Sequence, residues 1–358
     1  MADACQKQWP SLSDDWCFES GVVLKGIEQV WLDTDNKKVF EYIKYNIEQF
    51  VKPDGDICTY DLQDYDLDQI NAGKLLFRLY QETGDERYRQ ALRLLMRQFK
   101  TQPRTSEGGF WYKKIYPYQM WLDGIYMSAP FCAQYADSFD EPGGFDDAAH
   151  QILLVERHTC DPMTGLYYHA WDESKMQKWA NFHTGCSPHF WGRAMGWYAM
   201  AIVDVLDFLP VSHQARDRIV TIFERMIHSL VLVQDTDTGL WYQVLDRGGC
   251  EGNYTEASAS CMFVYALAKG IRKGYIASKY LEAAQRGYAG IIEHLVEVDE
   301  REQVNLTRIC EVAGLGGEEQ RDGSYEYYIS EPVVTNDYKG VGAFLLASVE
   351  MEKLSKPA

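Results

Sequence analysis

A chain of 358 residues with 53 acidic and 35 basic side chains carries a formal charge of −18. No run of Lys and Arg supplies the basic stripe that nucleic acid requires, so that class of partner is excluded. The 46 % hydrophobic and 14 % aromatic content can bury a large core, and an anionic ligand would have to find its positive charge locally, inside a site.

Helical periodicity runs from end to end. Apolar residues at three- and four-residue spacing predict helices over 22–33, 39–51, 70–84, 88–99, 120–136 and 145–158. Five more are predicted over 190–209, 215–233, 257–274, 280–297 and 338–354, with no β-rich domain between them. Two kinds alternate. Segments such as 190–209, 257–274 and 338–354 are rich in small residues and apolar around most of their circumference, whereas 215–233 and 280–297 keep a charged face. Helices apolar all round are buried on every side and amphipathic ones face water on one. A ring of helical hairpins, with inner helices lining a barrel and outer ones shielding it, produces that alternation.

A repeat supports the ring over an irregular bundle. DPMTGLYYHAWD (161–172) and DTDTGLWYQVLD (235–246) share six of their twelve letters, and GGFWYKK (108–114) is a looser third copy. Self-similarity at intervals of tens of residues marks a repeated supersecondary unit. Gly109, Gly165 and Gly239 are expected to head the copies at sharp turns, with the aromatics running on as extended segments. In this register Lys113, His169 and Gln243 share one direction and converge on the mouth of the barrel. No linker or composition break divides the chain, so a single domain over 1–358 is expected.

The nine cysteines are scattered, odd in number and without a C-x-x-C pair, which reads as reduced thiols in a reducing compartment. No zinc-type spacing appears, so no structural metal is expected. The first residues, MADACQKQWPSLSDDW, lack a secretory pattern, and no stretch of about eighteen apolar residues occurs. These features predict a soluble, cytoplasmic protein that engages no membrane.

Candidate chemistry rests on few residues. Asp123, in QMWLDGIYMSAPF, is a carboxylate early in an apolar helix, where it is either paired or kept for its chemistry. Asp68 stands among the acids of DYDLDQINAGKLL, several of which are ordinary first-turn residues. Arg193 and Trp197, in SPHFWGRAMGW, are four apart and share a helix face. Such an Arg needs an anionic partner, internal or bound, and such a Trp fills core or stacks on a sugar. Asp172 and Asp246 close two copies of the repeat and read as loop organisers. P-loop, dinucleotide, G-x-S-x-G and H-E-x-x-H patterns are all missing, and carboxylates among aromatics point to carbohydrate chemistry.

Five of these stretches carry a family resemblance: QPRTSEGGFWYKKIYPYQMWLDGIYM, GLYYHAWDES, SPHFWGRAMGWYAMA, NYTEASASCMFVYALAKG and EYYISEPVVTNDYKGVGAFLLA. Together they resemble the unsaturated rhamnogalacturonyl hydrolases of glycoside hydrolase family 105, from about Trp16 to the last helix. The resemblance implies an all-α (α/α)6 barrel that removes a 4,5-unsaturated galacturonic acid from the non-reducing end of short rhamnogalacturonan fragments, without metal or organic cofactor. It implies Asp123 as general acid/base and Asp68 as the second acid of the site. His169, Arg193 and Trp197 match substrate-contacting positions, and Lys113, Tyr112, Trp121 and Met127 complete the expected binding set. Tyr112 stands where many members have His, and Phe18 where many have Tyr, which leaves the leaving sugar open. Rival readings are an unsaturated glucuronyl hydrolase of related fold, a non-catalytic glycan-binding barrel, and an epimerase using His183 and His189. No protein partner is inferred.

Overall fold

The computed structural model describes residues 1–356. After the short helix α1 (Ala2–Gln8), five helical hairpins follow one another along the chain. They are α2 (Phe18–Thr34) with α3 (Lys37–Glu48), and α4 (Lys74–Thr83) with α5 (Glu86–Thr101). Next come α6 (Leu122–Phe139) with α7 (Gly143–Thr159), α8 (Gly192–Phe208) with α9 (Arg216–Leu232), and α10 (Ala257–Arg272) with α11 (Leu281–His294). A short α12 (Tyr325–Ser330) precedes the last long helix, α13 (Tyr338–Ser355). The first member of each hairpin packs on the first member of the next, and α13 packs on both α10 and α2. The inner helices α2, α4, α6, α8, α10 and α13 thus close a ring, as the alternation predicted.

Each element follows from its residues. In α5 the Asp85 side chain caps the start by accepting from the Arg87 amide at 3.0 Å. Its buried Tyr88, Ala91, Leu92, Leu95 and Phe99 fall on one stripe, while the arginines face out. The inner helices are buried nearly all round and approach closely where their residues are small. A Cβ on Gly342 would stand 2.6 Å from the Val22 carbonyl oxygen, and one on Gly26 would stand 2.8 Å from that of Gly342. Only glycine permits the α2–α13 crossing at this separation.

The structure differs from the periodicity at helix starts. Asp68–Gly73 is a 3-10 turn leading into α4. Residues 119–121 form a strand, β1 (Gln119–Trp121), antiparallel to β2 (Ala170–Asp172) with Met120 opposite Trp171. The aromatic pairing of these two loop segments outweighs helix propensity there, so α6 begins at Leu122. Two further pairs, β3 (Val296–Val298) with β4 (Val304–Leu306) and β5 (Ile309–Cys310) with β6 (Val333–Val334), lie in the long connection from α11 to α13. All nine cysteines are free thiols. Among the described residues, no helix is long and apolar enough to cross a membrane.

Candidate active site

The repeat sets the geometry of one end of the barrel, in a register one residue away from that expected in its first copy. Gly108, Gly165 and Gly239 take φ of +89°, +70° and +73°, so Gly108 and not Gly109 heads that copy. The backbone agrees: the carbonyls of Gly109, Leu166 and Leu240 accept equivalent bonds from Thr105, Asp161 and Asp235. The slot is therefore filled by Tyr112, His169 and Gln243, and Lys113 is its neighbour. Two adjacent glycines offered two alignments, and the one requiring a left-handed turn prevails.

Each slot residue anchors the inner helix before it. The amides of Leu67, Leu122 and Gly192 donate to the carbonyls of Tyr112, His169 and Gln243 at 3.1, 3.0 and 2.9 Å. The next residue in each case is Asp68, Asp123 or Arg193, so these three hold equivalent positions at the starts of three successive inner elements. All three line a cavity of about 600 Å³ at that end of the barrel. First-turn residues of α2 (Phe18, Glu19) and α13 (Lys339) line it as well. Helix N-termini carry partial positive charge, roughly half an elementary charge each. Their convergence supplies the local field that a chain of −18 otherwise lacks.

The two carboxylates differ sharply in their surroundings. Asp68 accepts from the Tyr112 hydroxyl at 2.6 Å and pairs with Lys113 Nζ at 2.6 Å. The same ammonium lies 3.0 Å from Asp66. Burial, reinforced by the Asp68 charge, pushes the Asp66 carboxyl up to about 6. Asp68 and Asp66 hold the Lys113 ammonium in its charged form in spite of burial. Burial and the neighbouring carboxylates likewise push the Tyr112 phenol well above its ordinary value, so it stays a donor.

Asp123 has no such donors. Its Oδ2 lies 3.1 Å from His169 Nε2, off the hydrogen-bond line. Behind it, His169 Nδ1 is 2.8 Å from the Tyr328 hydroxyl of α12. Both His169 and Tyr328 are fully buried, with Trp121 edge-on to the imidazole at 5.1 Å and Trp191 at 4.8 Å. His169 is thus not among the cavity-lining residues, contrary to the expected substrate contact. Gln243 is buried too, between Trp191 Nε1 at 3.0 Å and the Tyr328 carbonyl at 3.2 Å. Slot side chains therefore buttress the mouth from behind, and only Tyr112 reaches the lumen.

Arg193 finds its anionic partner inside the protein. Its Nη2 is 3.5 Å from Glu256, which is fully buried and caps α10 by accepting from the Ala259 amide at 2.6 Å. Nε donates to Ser258 Oγ at 2.8 Å, Nη1 to the Glu311 carbonyl at 3.3 Å, and Nη2 also to the Cys310 carbonyl. One Nη1 hydrogen stays uncommitted. Trp197 and Met127 line the cavity beside it, Trp197 stacked on Tyr126 at 4.9 Å. Tyr112, Trp121 and Tyr116 form an aromatic wall with ring centres 4.8 and 5.0 Å apart.

Several lining residues escaped the sequence reading. Glu311, Val312, Ala313, Gly314 and Arg321 come from the α11–α13 connection, which has no periodicity to reveal it. The Glu256 and Tyr328 roles depend on partners 63 and 159 residues away. Asp172 does organise its loop, accepting from the amides of Ser174, Met176 and Gln177, whereas Asp246 is exposed beside Arg247. Among the described residues, no three His, Cys, Asp or Glu side chains converge as ligands for a metal ion.

Comparison with known proteins matches residues 1–355 to Glycosyl Hydrolase Family 88. A solved glycoside hydrolase from family 105 of C. acetobutylicum superposes with a TM-score of 0.97, at 47 % identity and over 98 % of each chain. Protein Atu3128 of Agrobacterium fabrum is 41 % identical over 239 residues, 64 % of this chain and all of that protein. The unsaturated rhamnogalacturonyl hydrolase YesR of Bacillus subtilis is 28 % identical over 288 residues, 79 % of this chain and 77 % of that protein.

Proposed function

The chain belongs to glycosyl hydrolase family 88, and on that premise we propose that it removes a 4,5-unsaturated galacturonic acid from the non-reducing end of short rhamnogalacturonan fragments. The observation that carries this reading is the asymmetry between its two equivalent carboxylates. Asp68 has both oxygens engaged by Tyr112 and Lys113 and is suited to holding a hydroxyl or a charge distribution. Asp123 meets no aligned protein donor, faces the cavity, and is backed by the buried His169–Tyr328 chain. A group that must carry a proton in one step and none in the next is better placed without fixed donors.

The chemistry follows from the vinyl ether of the unsaturated sugar. Asp123 protonates C4, which leaves an oxocarbenium-like centre at C5. Water adds to C5 and returns its proton to the Asp123 carboxylate. The resulting hemiketal opens to a C5 ketone, and the hemiacetal left at C1 expels the next sugar. Arg193, with its free Nη1 hydrogen, and the helix N-termini are suited to a uronate carboxylate, and Trp197 and Met127 to the apolar face of the ring. The position of YesR as an unsaturated rhamnogalacturonyl hydrolase supports rhamnose as the leaving sugar. Nine free thiols suit a cytoplasmic setting.

The test is a panel of unsaturated disaccharides, with loss of the C4=C5 ultraviolet absorbance followed beside released sugar. Galacturonyl–rhamnose is expected to have the highest kcat/KM. A preference for glucuronyl substrates overturns the substrate assignment, and binding without turnover on every member establishes the glycan-binding barrel instead.

A further inference from the structure

The far end of the barrel holds a second cavity, of about 290 Å³, to which all six inner helices contribute. Seven Lys and Arg side chains line it against four carboxylates, an excess of positive charge in a chain of −18. Helix C-termini gather at this end, and their partial negative charge favours cations. Most of the cations also have acids. Lys269 meets Asp204 at 2.6 Å and Asp207 at 2.7 Å, and Lys273 meets Asp207 at 3.3 Å. Arg272 meets Glu350 at 2.6 Å, and Lys25 pairs with Glu28. These pairs engage all four carboxylates.

Lys74 is left over. Among the described residues four cations are buried, and Arg193, Lys269 and Lys339 each meet a carboxylate at 3.5 Å or less. Lys74 Nζ has the Tyr126 carbonyl at 3.5 Å and the face of the Tyr126 ring at 3.6 Å, and no ion pair. Burial pushes its ammonium down to about 7, although Asp204 pulls the other way. It stands in the first turn of α4, where the helix dipole opposes a cation, so the dipole does not account for it. A buried charge without an ionic partner is costly to keep. Glu28, on the same cavity, is 2 % exposed; one oxygen serves Lys25, and Oε1 is buried with no hydrogen-bond partner. Arg78, whose acid Glu82 is exposed at the surface, and the half-buried Lys353 add charge that the four lining carboxylates do not neutralise.

We propose that this rear cavity binds a small oxyanion that carries a hydroxyl of its own, a protonated phosphate group, either free or on a small molecule. Lys74, Arg78 and Lys353 supply the positive charge, and Glu28 Oε1 accepts the hydroxyl. The volume lies at the lower limit of small-ligand pockets, roughly 300 Å³, which suits a ligand of few heavy atoms. The anion gives Lys74 the charged partner that the fold withholds, and Glu28 selects against oxyanions with no proton to donate. The site is separate from the reaction proposed above, because its lining residues stand at the opposite ends of the inner helices from Asp68, Asp123 and Arg193.

The experiment titrates inorganic phosphate, glycerol phosphate and sulfate into the full chain by calorimetry and follows Tm in each. Wild type is expected to bind phosphate at one saturable site per chain and to gain Tm, which NaCl at equal ionic strength does not reproduce. Sulfate should bind at least about tenfold more weakly, the scale of one charge-assisted hydrogen bond. The tighter of inorganic and glycerol phosphate identifies the source of the group. Lys74→Met should raise Tm in phosphate-free buffer, since the unpaired charge is gone, and weaken phosphate at least about tenfold. Should that variant fail to fold, Lys353→Gln must weaken phosphate severalfold. The absence of saturable phosphate binding by wild type overturns the proposal. So does undiminished binding by Lys74→Met, which places the anion elsewhere, or a lower Tm for that variant without phosphate. Sulfate bound as tightly as phosphate overturns the role of Glu28.

Discussion

Replacing Glu256 by Gln keeps the volume but removes one charge from the mouth of the barrel, and with it an acceptor for the Cys310 amide, which now donates to Oε1 at 3.0 Å. The two side chains are isosteric, and the amide oxygen of Gln can still cap α10 through the Ala259 amide. What disappears is the negative charge 3.5 Å from Arg193, in a place where Glu256 is fully buried and Arg193 is 1 % exposed. At an effective dielectric near 20, unit charges at that separation attract by about 5 kcal/mol. Removing one member of a buried pair leaves the other uncompensated, at a cost of roughly 3–5 kcal/mol. The Cys310 and Glu311 carbonyls and Ser258 remain as neutral acceptors for Arg193, so the lower end, about 3 kcal/mol, is expected. Urea unfolding of Glu256→Gln, Arg193→Leu and the double variant measures this as a cycle. The double variant should be less destabilised than the sum of the singles by about 2 kcal/mol or more. Single losses below about 1 kcal/mol, or strict additivity, would refute the view that this pair holds Arg193 in place.

Tyr328→Phe leaves His169 Nδ1 without the hydroxyl now 2.8 Å away. The orientation of the imidazole behind Asp123 loosens, and kcat is expected to fall about tenfold with KM within about twofold; an unchanged kcat in steady-state assays contradicts it. Gly342→Ala places a methyl 2.6 Å from the Val22 carbonyl oxygen, which should destabilise the fold by about 1–3 kcal/mol, visible as a lower Tm; an unchanged Tm contradicts the close α2–α13 crossing. Asp66→Asn tests the crowded acids. Because the folded carboxyl is raised to about 6, its stabilising contribution is present below the unfolded value near 4 and is lost as pH rises through 6. The Tm difference between Asp66→Asn and wild type should therefore grow in favour of the variant from pH 4 to pH 7, and a difference that shrinks reverses the sign of the reasoning.

The barrel was legible because its signal is redundant: eleven periodic segments in two alternating kinds admit few arrangements other than a ring. Asp123, Arg193 and Trp197 could be singled out because a charged or bulky polar group stands out on an otherwise apolar inner helix. The slip of one residue in the first repeat came from Gly108-Gly109, where composition is silent and only the sign of φ chooses. The same silence hid the position of His169: alternation tells which residues share a face of an extended segment, but not whether that face meets the lumen or the next helix. The α11–α13 connection was illegible for a different reason. Its short β-pairs and turns have no period, and Glu311, Gly314 and Arg321 reach the cavity only through the tertiary fold.

The central claim is that Asp123 adds a proton to C4 of the unsaturated sugar. Turnover of unsaturated galacturonyl–rhamnose in D2O, with wild type and Asp123→Asn side by side, tests it directly by following C4=C5 absorbance, released rhamnose and the deuterium content of C4. Wild type is expected to lose absorbance in step with rhamnose release and to leave one deuterium at C4, while Asp123→Asn does neither. Rhamnose released with the double bond intact, or an Asp123→Asn variant that still delivers deuterium to C4 at the wild-type rate, would contradict the account.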